Sequence, residues 1–441
     1  MSLKIYPAPH GVVASPDYAV WVNGLPAFVY HTPIASLTTF AFDPAATGAV
    51  TVEIRARVLP LEPPIIRPLH RGIVAEMDAD AVRVVLPVPQ NVAVEFAGLP
   101  PLYLFASRPE TDKPDPADPA VHYFAAGQVY NAGDFLHLTD GQTVYIEGGA
   151  VLKSTAIRAA NAKNIAVRGH GLIDGSGLPA HSHRLLAFAG CRGVRVEDVV
   201  CVGSPSWNLV FGACDAVEVS GIRVLTWQVT GDGMDVVGSQ NVRITDCFLR
   251  TNDDCVAVKS VNYGAGEDAD DPNRVDWRGD VRNILVERCV LHNDRAGNVL
   301  EIGFETQCDV IENVVFRDCD VIAAHGYGGV FTIHNGDRAT VRDVLYEAIR
   351  VEHAFDFLVD IRVLHSRYSS DAARGRIENI AFKDIFCAAD PHNCVSVIGG
   401  FDAAHTVSGV VFENFNRNGE PVRDADDLHL FTKRVHDVSF G

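Results

Sequence analysis

The 441-residue sequence predicts an all-β protein: a right-handed parallel β-helix over residues 121–441, preceded within residues 1–120 by a small N-terminal β-sandwich and a linker. Three observations carry that prediction. Short β-branched strands recur along the second part of the chain at intervals of roughly 20 to 50 residues, the range of solenoids and arrays. Asn, Gly and Asp stand at the turns between these strands, with no helical period in between. The first part has short strands too, but no repeat.

In that first part, Tyr18-Ala-Val-Trp-Val is a short apolar, aromatic and β-branched run. Val50-Thr-Val-Glu-Ile-Arg-Ala-Arg-Val alternates apolar and polar residues, as a strand with one buried face does. Val82-Arg-Val-Val-Leu-Pro-Val and Val92-Ala-Val-Glu-Phe continue the series, and strands at this spacing suggest a sandwich. Residues 108–120, RPETDKPDPADPA, are rich in Pro and Asp and read as a linker.

Beyond residue 140 the strands open near Ile165, Val194, Val217, Val242, Ile284, Val314, Val344, Ile380 and Val410. Several are led by Asn: Asn241-Val-Arg-Ile-Thr-Asp-Cys resembles Asn283-Ile-Leu-Val-Glu-Arg-Cys, Asn313-Val-Val-Phe-Arg-Asp-Cys and Asn379-Ile-Ala-Phe-Lys-Asp-Ile. Each repeat hides one face inside and hydrogen-bonds to its neighbours, which is the logic of a parallel β-helix. The interval from Val242 to Ile284 is longest, 42 residues, because it holds an insertion, Val261 to Asp280. A long loop in a compact solenoid is either functional or disordered. This one carries Tyr263 and Trp277, aromatic rings suited to stacking on a sugar; otherwise it is a solvated acidic loop.

Composition removes several function classes. Hydrophobic residues make up 47% of the chain, enough for a large core, yet no apolar run approaches the roughly 20 residues of a membrane span. A net charge of −19 argues against a nucleic-acid partner. All ten cysteines follow residue 190, mostly inside apolar strands and without Cys-x-x-Cys pairs. Buried core thiols are expected rather than zinc ligands, with a Cys387–Cys394 disulfide as an alternative. Met1-Ser-Leu-Lys-Ile-Tyr lacks the basic segment and apolar core of a signal peptide, which leaves the compartment open.

The chemistry concentrates in two acidic clusters, Thr230-Gly-Asp232-Gly-Met-Asp235 and Asn252-Asp253-Asp254-Cys255. Asp232 and Asp253 are 21 residues apart, close to one coil, so they are expected on one face of neighbouring coils. Asp253 and Asp254 are adjacent and need a turn or bulge to point the same way. Crowded carboxylates raise one another's pKa, and glycosidic hydrolysis needs one protonated acid and one carboxylate. The alternatives are a Ca²⁺ site, whose usual ligand spacing Gly231-Asp-Gly-Met-Asp lacks, or aspartates that simply satisfy turn backbones.

These segments resemble a known family. SPSWNLVFGACDAVEVSGIRVL (204–225) and TGDGMDVVGSQNVRITDCFLRTNDDCVAVKS (230–260) look like the core of polygalacturonase-type glycoside hydrolases, with GQTVYIEGGAVLKS (141–154) and NIAVRGHGLIDGSG (164–177) as the first coils. The resemblance spans roughly residues 120 to 350. It implies the pectin-lyase-like solenoid, hydrolysis with inversion, no metal or other cofactor, a polysaccharide or oligosaccharide substrate, and a secreted or periplasmic setting. Carried over, Asp253 is the general acid, Asp232 and Asp254 activate the water, and Asp235 has a supporting, substrate-side role.

The departures are informative. The family's Gly-His-Gly motif is replaced by Gly297-Asn298-Val299, so its His is absent at Asn298. The family's Arg-Ile-Lys clamp corresponds to Gly329-Val-Phe-Thr-Ile-His334-Asn-Gly, with no Arg or Lys at the matching positions. A uronic acid ring calls for a cationic clamp, so classical polygalacturonate is disfavoured. A second resemblance is to the dextranase and isopullulanase type, which acts on neutral glucans and carries an N-terminal β-sandwich. It rests on the Asn-Asp-Asp motif and on Asn298-Val-Leu-Glu301-Ile-Gly-Phe-Glu305. Glu301 and Glu305 are candidate contacts to sugar hydroxyls or else surface charges. His334 is a candidate replacement for the missing His, and Lys259 a candidate partner of a catalytic Asp. Trp207 and Trp227 are expected in the core. Other readings that stay open are a polysaccharide lyase and a non-catalytic carbohydrate-binding β-helix.

Overall fold

A computed structural model describes residues 3–58, 62–78, 80–264, 275–388 and 393–441. Residues 3–107 build two facing sheets. One orders Leu3–Ile5, Ser36–Phe42, Leu102–Ser107, Asn91–Glu95 and Ile65–Arg67, with Val29–His31 beside Ser36–Phe42. The other orders Leu25–Ala27, Tyr18–Val22, Val50–Ala56, Ala81–Leu86 and Ala75–Asp78. The alternation read from Val50 holds: Val50, Val52 and Ile54 face inward while Thr51 is exposed. They meet Val20, Val22, Phe40, Phe42, Val84 and Leu104 in one core.

The remainder is a right-handed parallel β-helix of two long sheets, one of 22 strands and one of 12. The repeat positions read from the sequence stack on one another: Ile165 pairs with Val194, then Val217, Val242, Ile284, Val314, Val344, Ile380 and Val410 follow in register. All nine are buried in the core. Just before this position the strand kinks through a left-handed residue. Asn241, Asn283, Asn313 and Asn379 take it, with φ of 54° to 59°. Asn tolerates that conformation better than most residues. Its side chain also pairs between coils: Asn283 Nδ2 donates to Asn241 Oδ1 at 2.9 Å, and Asn313 Nδ2 to Asn283 Oδ1 at 2.7 Å. All ten cysteines are buried, and no disulfide joins them among the described residues.

The 12-stranded sheet positions the site. Its inward residues form a ladder, Phe211, Val236, Val258, Ile302, Ile333, Ile361 and Ile398, in register from coil to coil. Alternation sends the intervening residues outward. The outward positions therefore carry Asp235, Glu301, Thr332 and Asp360 on one line, and Gly303, His334, Arg362 and Gly399 on the next.

The sandwich packs on the other sheet. Tyr103 and Phe105 meet Phe248, with ring centroids 5.2 and 5.3 Å away. Arg223 of the β-helix donates to Asn91 and Ser107, and Arg67 of the sandwich pairs with Glu352.

Candidate active site

A groove of about 540 Å³ lies on the outer face of the 12-stranded sheet. Asp232, Asp253 and Asp254 line it together. None of the three is in a strand. Asp232 precedes Met234–Val237, and Asp253 and Asp254 precede Val256–Asn262. The turns let neighbouring aspartates face one wall, as the adjacent pair requires. Stacking joins the two turns directly: the Gly233 N–H donates to the Asp254 carbonyl at 2.8 Å, and the Asn208 amide donates to the Asp232 carbonyl at 2.7 Å.

Each carboxylate has its own surroundings. The Asp254 N–H donates to Asp253 Oδ1 at 3.1 Å, and the Asn298 N–H donates to Asp254 Oδ1 at 2.6 Å. Asn298 thus holds Asp254, at the position where the resembled family has its His. The residue before Asn298, Gly297, has to be a glycine. Its φ is +67°, and a Cβ there would lie 2.3 Å from Asp253 Oδ1. Lys259 is buried between two acids, 2.7 Å from Asp235 and 3.4 Å from Asp232.

Burial pushes Asp232 and Asp254 well above the usual carboxylate range, and the neighbouring carboxylates push them further. Asp253 keeps the most solvent contact of the four and is raised by burial to about 6, with Lys259 opposing the rise. Burial alone would lower Lys259, but Asp235, Asp232 and Glu305 hold it well above its ordinary value, so it stays an ammonium. Burial and mutual crowding thus oppose full ionisation of the cluster.

Farther along the groove His334 stands between two acids. Nδ1 is 3.0 Å from both Glu301 oxygens, and Nε2 is 3.1 Å from Asp360 Oδ2. A carboxylate only accepts, so each ring nitrogen carries a proton and His334 is an imidazolium. Burial opposes that charge, but Glu301 and Asp360 raise its pKa to about 9. Its ring stacks on Phe304 at 4.2 Å. Arg362 binds Asp360 through Nε at 2.6 Å and Nη2 at 2.5 Å. Tyr263 donates to Glu305 at 2.5 Å, which brings the Glu and the ring to the groove.

Several sequence expectations need correction. Trp277 does not face the groove. It is 7% exposed and lies on Gly212, where a Cβ would meet its ring at 2.2 Å, in a cluster with Val210, Val237 and Val261. A large apolar ring gains more by covering that gap than by standing in water. Asp235 and Glu301 do not line the groove either; both are fully buried, one under Lys259 and the other bonded to Thr332 and His334. They act on the groove through their cations. Trp207, expected in the core, is a groove wall, with Lys259 Nζ 4.1 Å and Arg184 4.8 Å from its ring centroid. The acidic loop assigned to the insertion falls largely on residues 265–274, outside the described residues.

Residues that the sequence reading passed over also reach the groove: Phe304, Tyr327, Asp360, Arg362, Arg367 and Tyr368. For Asp360 and Arg362 a signal exists. Phe357-Leu-Val-Asp-Ile-Arg-Val alternates, and it places both on the outward face one coil after His334.

Comparison with known proteins agrees with this architecture. The family model described as glycosyl hydrolases family 28 matches residues 136–425. An exopolygalacturonase of Cochliobolus carbonum is 22% identical over 252 residues, 51% of this chain and 52% of that protein. A probable polygalacturonase of Arabidopsis thaliana is 30% identical over 105 residues, 22% of this chain and 23% of that protein. The matched stretch thus spans about half of one relative and about a quarter of the other. Among solved structures, Dex49A from Penicillium minioluteum superposes with a TM-score of 0.62 at 14% identity, over 99% of this chain and 96% of that one. The family 28 exopolygalacturonase of Yersinia enterocolitica gives 0.53 at 13% identity over the same shares. These two superpositions speak for the fold. The family match covers about two thirds of the sequence, including both acidic turns and the groove strands through Val395–Gly399, and the chain belongs to glycosyl hydrolases family 28.

Proposed function

We propose that the protein hydrolyses a glycosidic bond with inversion, Asp253 acting as general acid and Asp232 with Asp254 activating the water. The observation that carries this reading is the carboxylate cluster itself. An acid must be protonated at working pH and reach the glycosidic oxygen. Asp253 is the most accessible of the four and sits near 6, which fits that role. Burial and the neighbouring carboxylates raise Asp232 and Asp254 as well, and the Lys259 ammonium and the Asn298 N–H oppose that rise.

The groove supports a neutral or mixed saccharide over a polyanion. Three of its cations are already matched: Lys259 by Asp232 and Asp235, His334 by Glu301 and Asp360, Arg362 by Asp360. With Asp253, Asp254 and Glu305 added, acid outweighs base, as it does over the whole chain at −19. Trp207, Tyr263, Phe304, Tyr327, Phe357 and Tyr368 offer ring faces for sugars. Trp277 drops out of the proposed binding residues, whereas Lys259, Asn298, Glu305 and His334 remain. Supported by its two sheets, the sandwich through residue 120 is proposed as a support for a catalytic β-helix over 121–441.

The test incubates the protein with polygalacturonate, dextran, pullulan and rhamnogalacturonan and follows reducing ends, with the product anomer read by NMR. Release of the inverted anomer is expected, and Asp253→Asn should lower turnover by about 10² to 10⁴ without unfolding the protein. Full activity of Asp253→Asn, or a retained anomer, rejects the mechanism. An unsaturated, ultraviolet-absorbing product points instead to a lyase.

A further inference from the structure

The groove stops at the coil of Trp207. None of the residues that line it precedes Trp207, although the Leu209–Gly212 strand and three earlier strands of the same sheet continue the outer face. The chain that returns from the insertion covers that face. Past Lys259 the strand runs on to Val261 and Asn262, which pair antiparallel with Trp277 and Asp276. Two glycines make room for the return: a Cβ on Gly212 would meet the Trp277 ring, and one on Gly238 would lie 2.2 Å from the Trp277 carbonyl oxygen. Arg184 is buried against both indoles, its guanidinium carbon 5.3 Å from the Trp277 ring centroid and 4.8 Å from that of Trp207. Next to Asp232, the exposed His181 hydrogen-bonds the Thr230 hydroxyl at 3.1 Å, so one turn reaches across the coil between them. Behind this wall the outer face is filled, with Arg158 on the Phe135 ring at 3.7 Å and Phe135 on His183 at 4.4 Å.

We propose that the groove is blind at this end, so that the protein works from the end of a saccharide chain and releases roughly one or two terminal sugars, with Trp277 and Arg184 as the specificity-determining residues. The inference rests on the reading of the groove as a hydrolytic site. Two strand spacings, about 10 Å, separate the Leu209–Gly212 strand from the Val256–Asn262 strand that follows Asp253. That space seats a terminal ring or two, and a continuing chain would have to displace Trp207. In the other direction the groove runs on over Leu300–Thr306, Gly329–Asn335 and Phe357–Val363. The saccharide therefore has room to extend on one side of Asp253 only. An internal bond needs chain on both sides, and moving the wall aside raises its barrier above that of a terminal bond.

The test follows products rather than rate. The natural protein is incubated with polygalacturonate, dextran, pullulan and rhamnogalacturonan, and viscosity, reducing ends and product size are read together on the polymer that is cut. A mono- or disaccharide as the sole early product is expected, with viscosity falling only in proportion to reducing ends. A ladder of intermediate oligosaccharides with an early collapse of viscosity overturns the blind end and leaves hydrolysis at Asp253 standing. No reducing ends from any of the four polymers refutes the hydrolytic reading, and the blind end with it. Trp277→Ala opens the wall, and the early share of products longer than a disaccharide should rise about threefold. Circular dichroism checks that the variant is folded. Where Trp277→Ala does not fold, His181→Ala decides in its place, because that side chain is exposed and its loss frees the turn from Thr230. An unchanged product size in the folded variant overturns the assignment of the wall.

Discussion

Asp253 shows what the site demands of a single residue. Its carboxyl is raised to about 6, chiefly by burial, so it binds its proton more tightly folded than unfolded. The stabilising contribution of that proton is complete below the unfolded value near 4 and disappears as pH rises through about 6. At pH 7.5 the ionised form therefore opposes folding, by up to about 3 kcal/mol. Asp253→Asn has no charge to bury. It should melt higher than the natural protein at pH 7.5, and the difference should vanish by pH 4. A thermal series across that range checks the sign. Lys259 is the counterexample, since its charge holds two buried acids in place. Lys259→Met would leave Asp232 and Asp235 unmatched, and a loss of about 3–5 kcal/mol is expected by chemical denaturation.

At the scale of the element, strands and turns divide the work. The outward residues of the strands supply cations and their partners, Lys259, His334 and Arg362, whereas the turns supply Asp232, Asp253 and Asp254. At the Gly297 turn the φ of +67° and the contact with Asp253 leave no space for a side chain. Gly297→Ala should cost about 1–2 kcal/mol in stability from the backbone alone. The added methyl must also displace Asp253, so turnover should fall by a larger factor than the stability loss explains. Steady-state kinetics at a temperature where the variant is fully folded separates the two effects.

The whole molecule is held by two cores and the seam between them. Tyr103 and Phe105 of the sandwich share an apolar cluster with Val200, Leu225, Phe248 and Val290 of the β-helix. An apolar seam of this kind makes the two parts unfold together. One calorimetric transition is expected for the natural protein. Phe248 is fully buried at the centre of the seam, and Phe248→Ala should lose about 3–5 kcal/mol and split that transition in two. A single transition that merely shifts downward would show that the seam does not couple the parts.

Local alternation and the Asn-led kinks specify the coil and its register, because strand pairing in a solenoid is a nearest-neighbour matter. Ile165 through Val410 were legible as a repeat and stack as one. The meeting of Asp232 with the Asp253–Asp254 pair was legible for the same reason, being one coil apart. Whatever depends on side-chain reach across coils emerges with packing. Packing took Trp277 out of the groove to cover Gly212, gave Asp235 and Glu301 to buried cations, and brought Trp207, Arg362 and Tyr368 to the groove. Burial and the choice of charge partner are properties of the packed solid, where a few ångströms in the low-dielectric interior reverse the balance between a solvated charge and a paired one.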